Sequence, residues 1–486
     1  MQFWSWSIWD LLYSWLPLIN LLFAIPIIFL ERRNIGVTWA WLILLLLLPV
    51  VGFLLYIILG QNLARQKVYK IKPKTQRYVR EMIIGQAGKF KRGSIKFRDA
   101  NVQKHQSLVY MNLVSSYSLL TQNNDVDIFT DGKKKFDALL ESITEAVDHI
   151  HMLYYKIGND KLGKLVLSAL TQKAKEGVTV RISYDAIGSQ GVSKALFQEL
   201  QAAGGKVYPF FPSKIPFLNL RVNYRNHRKI VIIDGAVGFI GGFNIGDEYL
   251  GEDPVIGLWR DTHLKIKGDA VHRLQMQFIL DWSLASGEFI PFDPPFFPEI
   301  DSDGMTSMQI VASGPDSDKM QIRDGYVKMI FEANTSVFIQ TPYFIPDDSI
   351  LNALKIAAAS GIDVRIMIPR KADHALVQLA TYSYIGELLR AGVKCYLYEK
   401  GFLHAKTIMI DAEVASVGTA NLDYRSLMLN FEINAFLYDP NEAAELEAIF
   451  EKDMESSTQL TWEGYQRRSI FLRLSESMAR LFSPIL

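Results

Sequence analysis

One polar pattern occurs twice in this chain of 486 residues, and it leaves few architectures open. The first copy runs Asn226-His227-Arg228-Lys229, then four apolar residues to Asp234, then Gly241-Gly242-Phe243-Asn244. The second runs His404-Ala405-Lys406, four residues to Asp411, then Gly418-Thr419-Ala420-Asn421. Both have the form His-x-Lys-x4-Asp-x6-Gly-x-x-Asn, and they lie 177 residues apart. With 8 histidines in the chain, a single His-x-Lys-x4-Asp is expected by chance roughly 0.02 times, so two with Gly and Asn in register are not coincidence.

The surroundings of the pattern repeat with it. Ala169, Gly177, Val180, Arg181 and Ile182 match Ala353, Gly361, Val364, Arg365 and Ile366 at an offset of 184. Glu199-Leu200 and Lys206-Val207-Tyr208 match Glu387-Leu388 and Lys394-Cys395-Tyr396 at 188. A repeat this long is a duplicated domain, not a solenoid of short units. From about Val126, β-branched runs alternate with amphipathic ones, an α/β pattern. Strands are expected at 153–157, 178–184 and 206–210, and helices at 136–146, 162–175 and 194–203. The Pro-rich stretch 291–304 reads as a linker between a first half, 126–290, and a second, 305–486. Such a duplication predicts a pseudo-twofold axis with paired polar groups meeting between the halves.

The apolar run after each Lys reads as a strand, and residues two apart on a strand share a face. His227 and Lys229, and likewise His404 and Lys406, therefore point the same way, and the Gly region returns Asn244 and Asn421 to that face. Two imidazoles, two ammonium groups and two amides suit a substrate with anionic oxygens. Each His has a cation two residues away and no neighbouring His or carboxylate ligand, which disfavours a metal. Asp234 and Asp411 complete the motif and are counted with the catalytic set, although pairing with backbone or Lys is the favoured reading for them.

The apolar residues of the chain are concentrated at its start. Residues 8–30 hold one charge, Asp10, and residues 37–59 hold none. Each stretch is long enough to cross a bilayer of about 30 Å, and the first lacks the cationic start and small-residue cleavage site of a signal peptide. Residues 1–60 are thus expected to form a two-helix transmembrane hairpin, with Trp4, Trp6, Trp9, Trp39 and Trp41 near its ends. Residues 61–80 carry seven Lys or Arg and no acid. The positive-inside rule therefore places the rest of the chain in the cytoplasm, against two arginines, Arg32 and Arg33, in the outer turn. Residues 61–125 are expected to be a basic juxtamembrane linker. Overall, 52 Lys+Arg balance 51 Asp+Glu, which gives no basic excess for a nucleic-acid partner. The single Cys395 excludes an internal disulfide framework and a thiolate-rich zinc site.

The doubled motif resembles the phospholipase D superfamily from about Val126 to the C-terminus. Within it, Asn226 to Lys229, Gly241 to Asn244, Asn421-Leu422-Asp423-Tyr424-Arg425-Ser426 and the paired N-terminal apolar segments look like bacterial cardiolipin synthases. Many superfamily motifs have Gly-Ser where this chain has Gly241-Gly242, a departure found in the cardiolipin synthase branch, and Thr419 takes the matching place in the second half. The resemblance implies a duplicated fold of two mixed sheets flanked by helices. It also implies phosphatidyl transfer between two phosphatidylglycerols, giving cardiolipin and glycerol without cofactor or metal. His227 would be the nucleophile and His404 the general acid and base, with Lys229, Lys406, Asn244 and Asn421 holding the phosphoryl oxygens. Each imidazole needs an orienting partner. Aligning Arg260-Asp261-Thr262 with Phe431-Glu432-Ile433 pairs Glu432 with His227 and Asp261 with His404, across the axis. The implied partners are phosphatidylglycerol, cardiolipin and membrane lipids, at the cell membrane. Hydrolysis, transfer to another alcohol, and a membrane-tethered nuclease are the competing readings.

Three further features carry weaker signals. Arg467, Arg468, Arg473 and Arg480 interleave with apolar residues at helical spacing, which fits an interfacial helix or one packed on the catalytic domain. The apolar loop around Phe211 to Leu218 suits a lipid-contacting lip. Tyr154-Tyr155 and Tyr343-Phe344 suit either the pocket mouth or the core. His149, His151, His263, His272 and His374 lack the motif and read as structural or surface residues.

Overall fold

The computed structural model describes residues 35–59, 73–212, 223–253 and 257–485, together with Trp15, Asn20, Leu22, Ala24, Ile25 and Tyr69. It divides into two units, residues 1–67 with 212–224 and residues 68–211 with 225–486.

In the larger unit the repeated sequence becomes repeated strands. The first half supplies β1 (Thr121–Phe129), β2 (His149–Tyr154), β3 (Thr179–Asp185), β4 (Lys206–Phe210), β5 (Ile230–Ile233), β6 (Val237–Gly241) and β7 (His263–Gly268). The second supplies β8 (Thr306–Ser313), β9 (Ser336–Gln340), β10 (Asp363–Pro369), β11 (Lys394–Tyr398), β12 (Thr407–Ile410), β13 (Val414–Gly418) and β14 (Glu432–Leu437), with β15 (Ser457–Leu460) added outside β11. The strand order is β1-β7-β6-β5-β2-β3-β4 in the first half and β8-β14-β13-β12-β9-β10-β11 in the second. The two orders correspond strand for strand, as a duplicated domain requires.

The expected two sheets are in fact one sheet of 15 strands. β1 and β8 pair antiparallel, Thr121 opposite Met308 and Asn124 opposite Thr306. Each of these strands opens its half and would otherwise expose an edge of unpaired N–H and C=O groups, so their pairing removes two edges at once. The expected strands and helices overlap the observed ones, but the strand expected at 153–157 runs instead over 149–154, and 194–203 divides into a 3-10 turn and a short helix.

Several helices begin at an acidic cap. Asp131 accepts from Lys134 N at the start of a helix over 132–145, Asp160 caps 161–175 and Asp347 caps 348–359. The apolar faces pack on the sheet in three clusters, one on each half and one, with Leu274, Phe278, Ile310 and Ala435, shared by both.

The segment 61–125 is not a plain linker. A helix over 73–91 leads to a second over 106–116, whose Leu108 and Val109 are buried in the core of the second half, and β1 already begins at Thr121. The basic composition of 61–80 concealed the apolar face that follows it.

In the smaller unit, the expected span 37–59 is two helices, Ile35–Leu47 and Pro49–Leu59. Pro49 has no N–H with which to continue the ladder. The Trp41 and Tyr56 rings meet edge to face at 5.2 Å. In one straight helix they would lie about 22 Å apart, so the chain folds back on itself here. Among the described residues no helix is long and apolar enough to cross a membrane. The expected span 8–30 and the loop 213–222 lie outside the described residues, Trp15, Asn20, Leu22, Ala24 and Ile25 excepted.

Candidate active site

Both motif histidines reach one cleft of about 450 Å³, and the backbone explains how. The short strand Leu258–Arg260 pairs in parallel with Gly401–Leu403, and His404 N–H donates to Arg260 O at 2.7 Å. In the other direction Asn226 bridges to Phe431, and His227 N–H donates to Phe431 O at 2.9 Å. Each histidine is thus clamped beside the residue preceding a carboxylate of the opposite half.

The side chains follow. His227 Nδ1 lies 3.0 Å from both Glu432 carboxylate oxygens, and His404 Nδ1 lies 2.5 Å from Asp261 Oδ2. All four residues are buried. An ionised carboxylate only accepts, so Nδ1 carries the proton in both rings and Nε2 keeps its lone pair toward the cleft. Burial would raise Glu432 and Asp261, but the facing histidines and lysines outweigh it and hold both carboxyls below their ordinary range. Burial lowers His227, with Lys229 adding to the effect against Glu432. Burial and then Lys406 lower His404 to about 4.

The lysines stand one layer behind the histidines. Lys229 Nζ donates to His227 O at 2.8 Å, and Lys406 Nζ donates to His404 O while lying 2.8 Å from His404 Nδ1. Because that nitrogen gives its proton to Asp261, the carbonyl is the real acceptor for Lys406. Burial lowers Lys229 to about 7 and Lys406 to about 8, so an anion arriving in the cleft would restore their charge.

Asn244 and Asn421 line the cleft with the histidines. Asn244 Nδ2 donates to Tyr249 OH at 2.9 Å, and Asn421 Nδ2 to Asp423 Oδ2 at 3.0 Å. Asn421 Oδ1 is buried without a partner among the described residues.

Asp234 and Asp411 do not join the cleft, which corrects their place in the catalytic set. Both sit at strand ends with φ of 51° and 55°. Asp234 accepts from the N–H groups of Val147, Asp148 and His149, and Asp411 from those of Asn334, Thr335 and Ser336. Each carboxylate ties the end of a motif strand to the start of the neighbouring strand. Burial opposes the Asp411 charge, but these donors outweigh it and keep the carboxyl below its usual value.

The glycine pair has a steric cause. A Cβ on Gly242 would lie 1.9 Å from Asp261 Oδ1, so a serine there would displace the carboxylate that holds His404. In the second half Thr419 N–H donates to Ile433 O just as Gly242 N–H donates to Thr262 O. There the carboxylate is Glu432, one methylene longer.

Arg225 and Trp259 had no sequence signal beyond proximity to a motif, whereas Tyr155 and Tyr343 are the members of the two aromatic pairs that line the cleft. Arg225 and Arg425 belong to the lining, Tyr155 and Tyr343 form part of its wall, and Trp259 has a buried Nε1 without a partner among the described residues. Tyr154 and Phe344 are core residues instead. Behind the site, Arg228 at the variable position of the first motif pairs with Asp281 at 2.7 and 2.8 Å, and Tyr69 OH donates to the same carboxylate at 2.6 Å. Arg228 Nε also donates to Glu432 O at 3.1 Å. The second motif has the buried Ala405 at this place, so the brace exists once and no internal repeat pointed to it. Among the described residues no group of three or more His, Cys, Asp or Glu is arranged for a metal ion.

A fused, duplicated α/β sheet with two crossed His-carboxylate pairs in one cleft defines a phospholipase D-like protein. A family model described as cardiolipin synthase, phospholipase D-like domain, matches residues 139–282 and 326–454, and a phospholipase D-nuclease N-terminal model matches 18–61. A cardiolipin synthase of Listeria monocytogenes serovar 1/2a is 49% identical over 472 residues, covering 97% of this chain and 98% of its own. The major cardiolipin synthase of Bacillus subtilis is 50% identical over 481 residues, covering 99% and 100%. The crystal structure of Haemophilus influenzae phosphatidylserine synthase shares the fold, with TM-score 0.60 at 15% identity over 80% of this chain and 100% of that one. The chain belongs to the phospholipase D-like cardiolipin synthase family.

Proposed function

We propose that this enzyme joins two phosphatidylglycerols into cardiolipin and free glycerol through a phosphohistidine. The observation that carries the reading is the crossed pairing of His227 with Glu432 and His404 with Asp261 in a single cleft. His227 Nε2 attacks the phosphorus of the first phosphatidylglycerol, and the P–O bond to the headgroup glycerol breaks. His404 gives its proton to that glycerol oxygen. Glycerol leaves, and the primary hydroxyl of a second phosphatidylglycerol enters. His404 takes the hydroxyl proton, the oxygen attacks phosphorus, and the P–N bond breaks to release cardiolipin. One phosphodiester is exchanged for another, so the steps balance without a nucleotide.

The low value of His404 belongs to the empty cleft. A phosphodiester anion between the rings raises both imidazoles, which allows His404 to carry its proton when the leaving group needs it. Asn244 and Asn421 supply amides at the cleft wall, and Lys229 and Lys406 supply charge from behind. Arg225 and Arg425 add cations to the lining.

Purified enzyme given labelled phosphatidylglycerol in detergent, without added metal, should yield cardiolipin and glycerol in equal amounts. Phosphatidic acid as the sole lipid product would replace transfer by hydrolysis. Retained turnover in His227→Ala or His404→Ala would overturn the mechanism.

We also assign residues 1–60 to the membrane and the catalytic unit to the cytoplasmic side, as the uncharged run 37–59 and the basic run 61–80 support. Two crossings require the helices over 35–47 and 49–59 to straighten in lipid into one of about 37 Å. A cysteine placed at Asn34 should then react with an impermeant reagent from outside the cell. Reaction only from the cytoplasmic side would replace two crossings with a hairpin that enters and leaves on one side.

A further inference from the structure

The C-terminal helix Ile470–Arg480 is folded with its polar face inward. Glu476 and Ala479 are buried, whereas Ile470, Phe471, Leu474, Met478, Leu481 and Phe482 are exposed, Phe471 to 77% and Leu481 to 79%. At about 100° per residue, Ile470, Leu474, Met478 and Phe471 fall in one sector of roughly 100° opposite Glu476. The inversion is held by specific bonds. Arg468 pairs with Glu476, Arg480 Nη1 donates to Glu387 at 2.5 Å and stacks on Tyr384 at 4.2 Å, and Tyr384 OH bonds Ser483 at 3.0 Å. The sequence left open which way this helix turns, and its partners decide it.

Position and charge indicate what covers the apolar face. The helix packs on the one over 375–390, which starts at the cleft-lining residues Asp373, His374 and Val377. The turn Ser483–Ile485 packs on the short helix Tyr424–Met428, which carries cleft residues Arg425 and Ser426. The patch therefore belongs to the elements that build one wall of the cleft. Arg467 and Arg473 are exposed and make no ion pair among the described residues, and the only acid on the helix, Glu476, is already paired with Arg468. An apolar strip flanked by free arginines matches a bilayer surface bearing anionic headgroups.

We propose that this helix is an interfacial element that lies in an anionic lipid surface and holds the cleft wall at the level of the headgroups. Phe471, Leu474, Met478, Leu481 and Phe482 enter the acyl boundary, and Arg467 and Arg473 stay with the phosphates. The proposal goes beyond the catalytic reading, and its first test does not use activity. In full-length Leu481→Cys, with buried Cys395 unreactive, an environment-sensitive dye at position 481 reports on the face directly. In phosphatidylcholine vesicles containing phosphatidylglycerol, its emission should shift to the blue, resist aqueous iodide and be quenched by lipids brominated near the headgroup. The quenching should weaken without phosphatidylglycerol and in Arg467→Gln/Arg473→Gln. Undiminished iodide quenching overturns the proposal. So does protection without lipid quenching, which would assign the face to a second copy or to another part of the chain. As a second readout, Phe471→Asp/Leu474→Asp should raise KM for bilayer phosphatidylglycerol roughly tenfold while kcat on a dissolved short-chain substrate stays within about twofold. An equal loss on both substrates would contradict the proposal.

Discussion

Replacing Glu432 by Gln keeps the size of the side chain and removes its charge, which isolates the orienting role assigned to it. Both carboxylate oxygens lie 3.0 Å from His227 Nδ1, with no exposure to solvent. The substitution turns a charge-assisted contact into a neutral one and leaves the ring free to adopt the other tautomer. A charge-assisted bond contributes about 1.5–3 kcal/mol, so kcat should fall roughly 10- to 150-fold. The variant should also change the pH profile. Burial sets Lys229 at about 7, and Glu432 is the leading charge holding it that high. In wild type, kcat/KM should decline as pH rises past 7 to 8, where Lys229 and Lys406 lose their protons. In Glu432→Gln the limb due to Lys229 should move to lower pH. The assay is cardiolipin formation from labelled phosphatidylglycerol in detergent over pH 5 to 9, with Asp261→Asn as the matching variant for His404 and Lys406. Both variants turning over within twofold of wild type, with the alkaline limb unmoved, would refute the reasoning.

Asp411→Asn should lower thermal stability by about 2–3 kcal/mol while the folded fraction keeps near-normal kcat, because this carboxylate serves backbone donors away from the cleft. Its folded carboxyl is held below the ordinary value, so the contribution is present above the unfolded pKa near 3.9 and is lost as pH falls through the folded value. The stability gap between wild type and Asp411→Asn should therefore narrow in that acid range, beyond the acid loss both share through carboxylates such as Glu432 and Asp261, as urea titrations would record. Gly242→Ser should cut kcat about tenfold or more and also lower the denaturation midpoint, since its Cβ meets the buried Asp261 Oδ1 at 1.9 Å. Arg228→Met should cost about 3–5 kcal/mol by leaving Asp281 buried and unpaired, measured as a fall in the denaturation midpoint.

The site was legible in the sequence to the extent that it is duplicated. His227 and His404 are found by pattern, and Glu432 and Asp261 by laying one half on the other. The crossing follows from a parallel backbone contact that the two halves repeat. What occurs once was not legible. Arg228 fills a variable position whose counterpart is Ala405, so its bonds to Asp281 and to the Glu432 carbonyl leave no trace in a repeat. Strand alternation gives Lys229 and Lys406 the face of the cleft but not their depth, which places them behind the histidines. The single sheet depends on one pairing, β1 with β8, between segments about 180 residues apart, and no local pattern encodes that. The helix over 106–116 is masked in the sequence by the basic run that precedes it, which dominates the composition of the segment.

The differences between the halves bear on which histidine attacks. Each half lends its carboxylate and a backbone carbonyl to the other's histidine, so neither half alone contains an oriented imidazole. The environments are nevertheless unequal. Lys406 Nζ stands 2.8 Å from His404 Nδ1, whereas Lys229 bonds to the carbonyl of His227 and makes no bond to its ring. The cation pressing on His404, after burial, drives it to about 4 and makes its protonated form the stronger acid, the property required to release a proton to a departing glycerol oxygen. His227 has two carboxylate oxygens at 3.0 Å on Nδ1 and the Arg228 brace behind Glu432, an arrangement that suits the attacking role proposed for it. His404→Ala should therefore accumulate a phosphatidyl adduct on His227 when given a substrate whose leaving group needs no proton. Acid-quenched mass spectrometry locates the adduct, and an adduct on His404 in His227→Ala, with none on His227 in the reciprocal variant, would reverse the assignment.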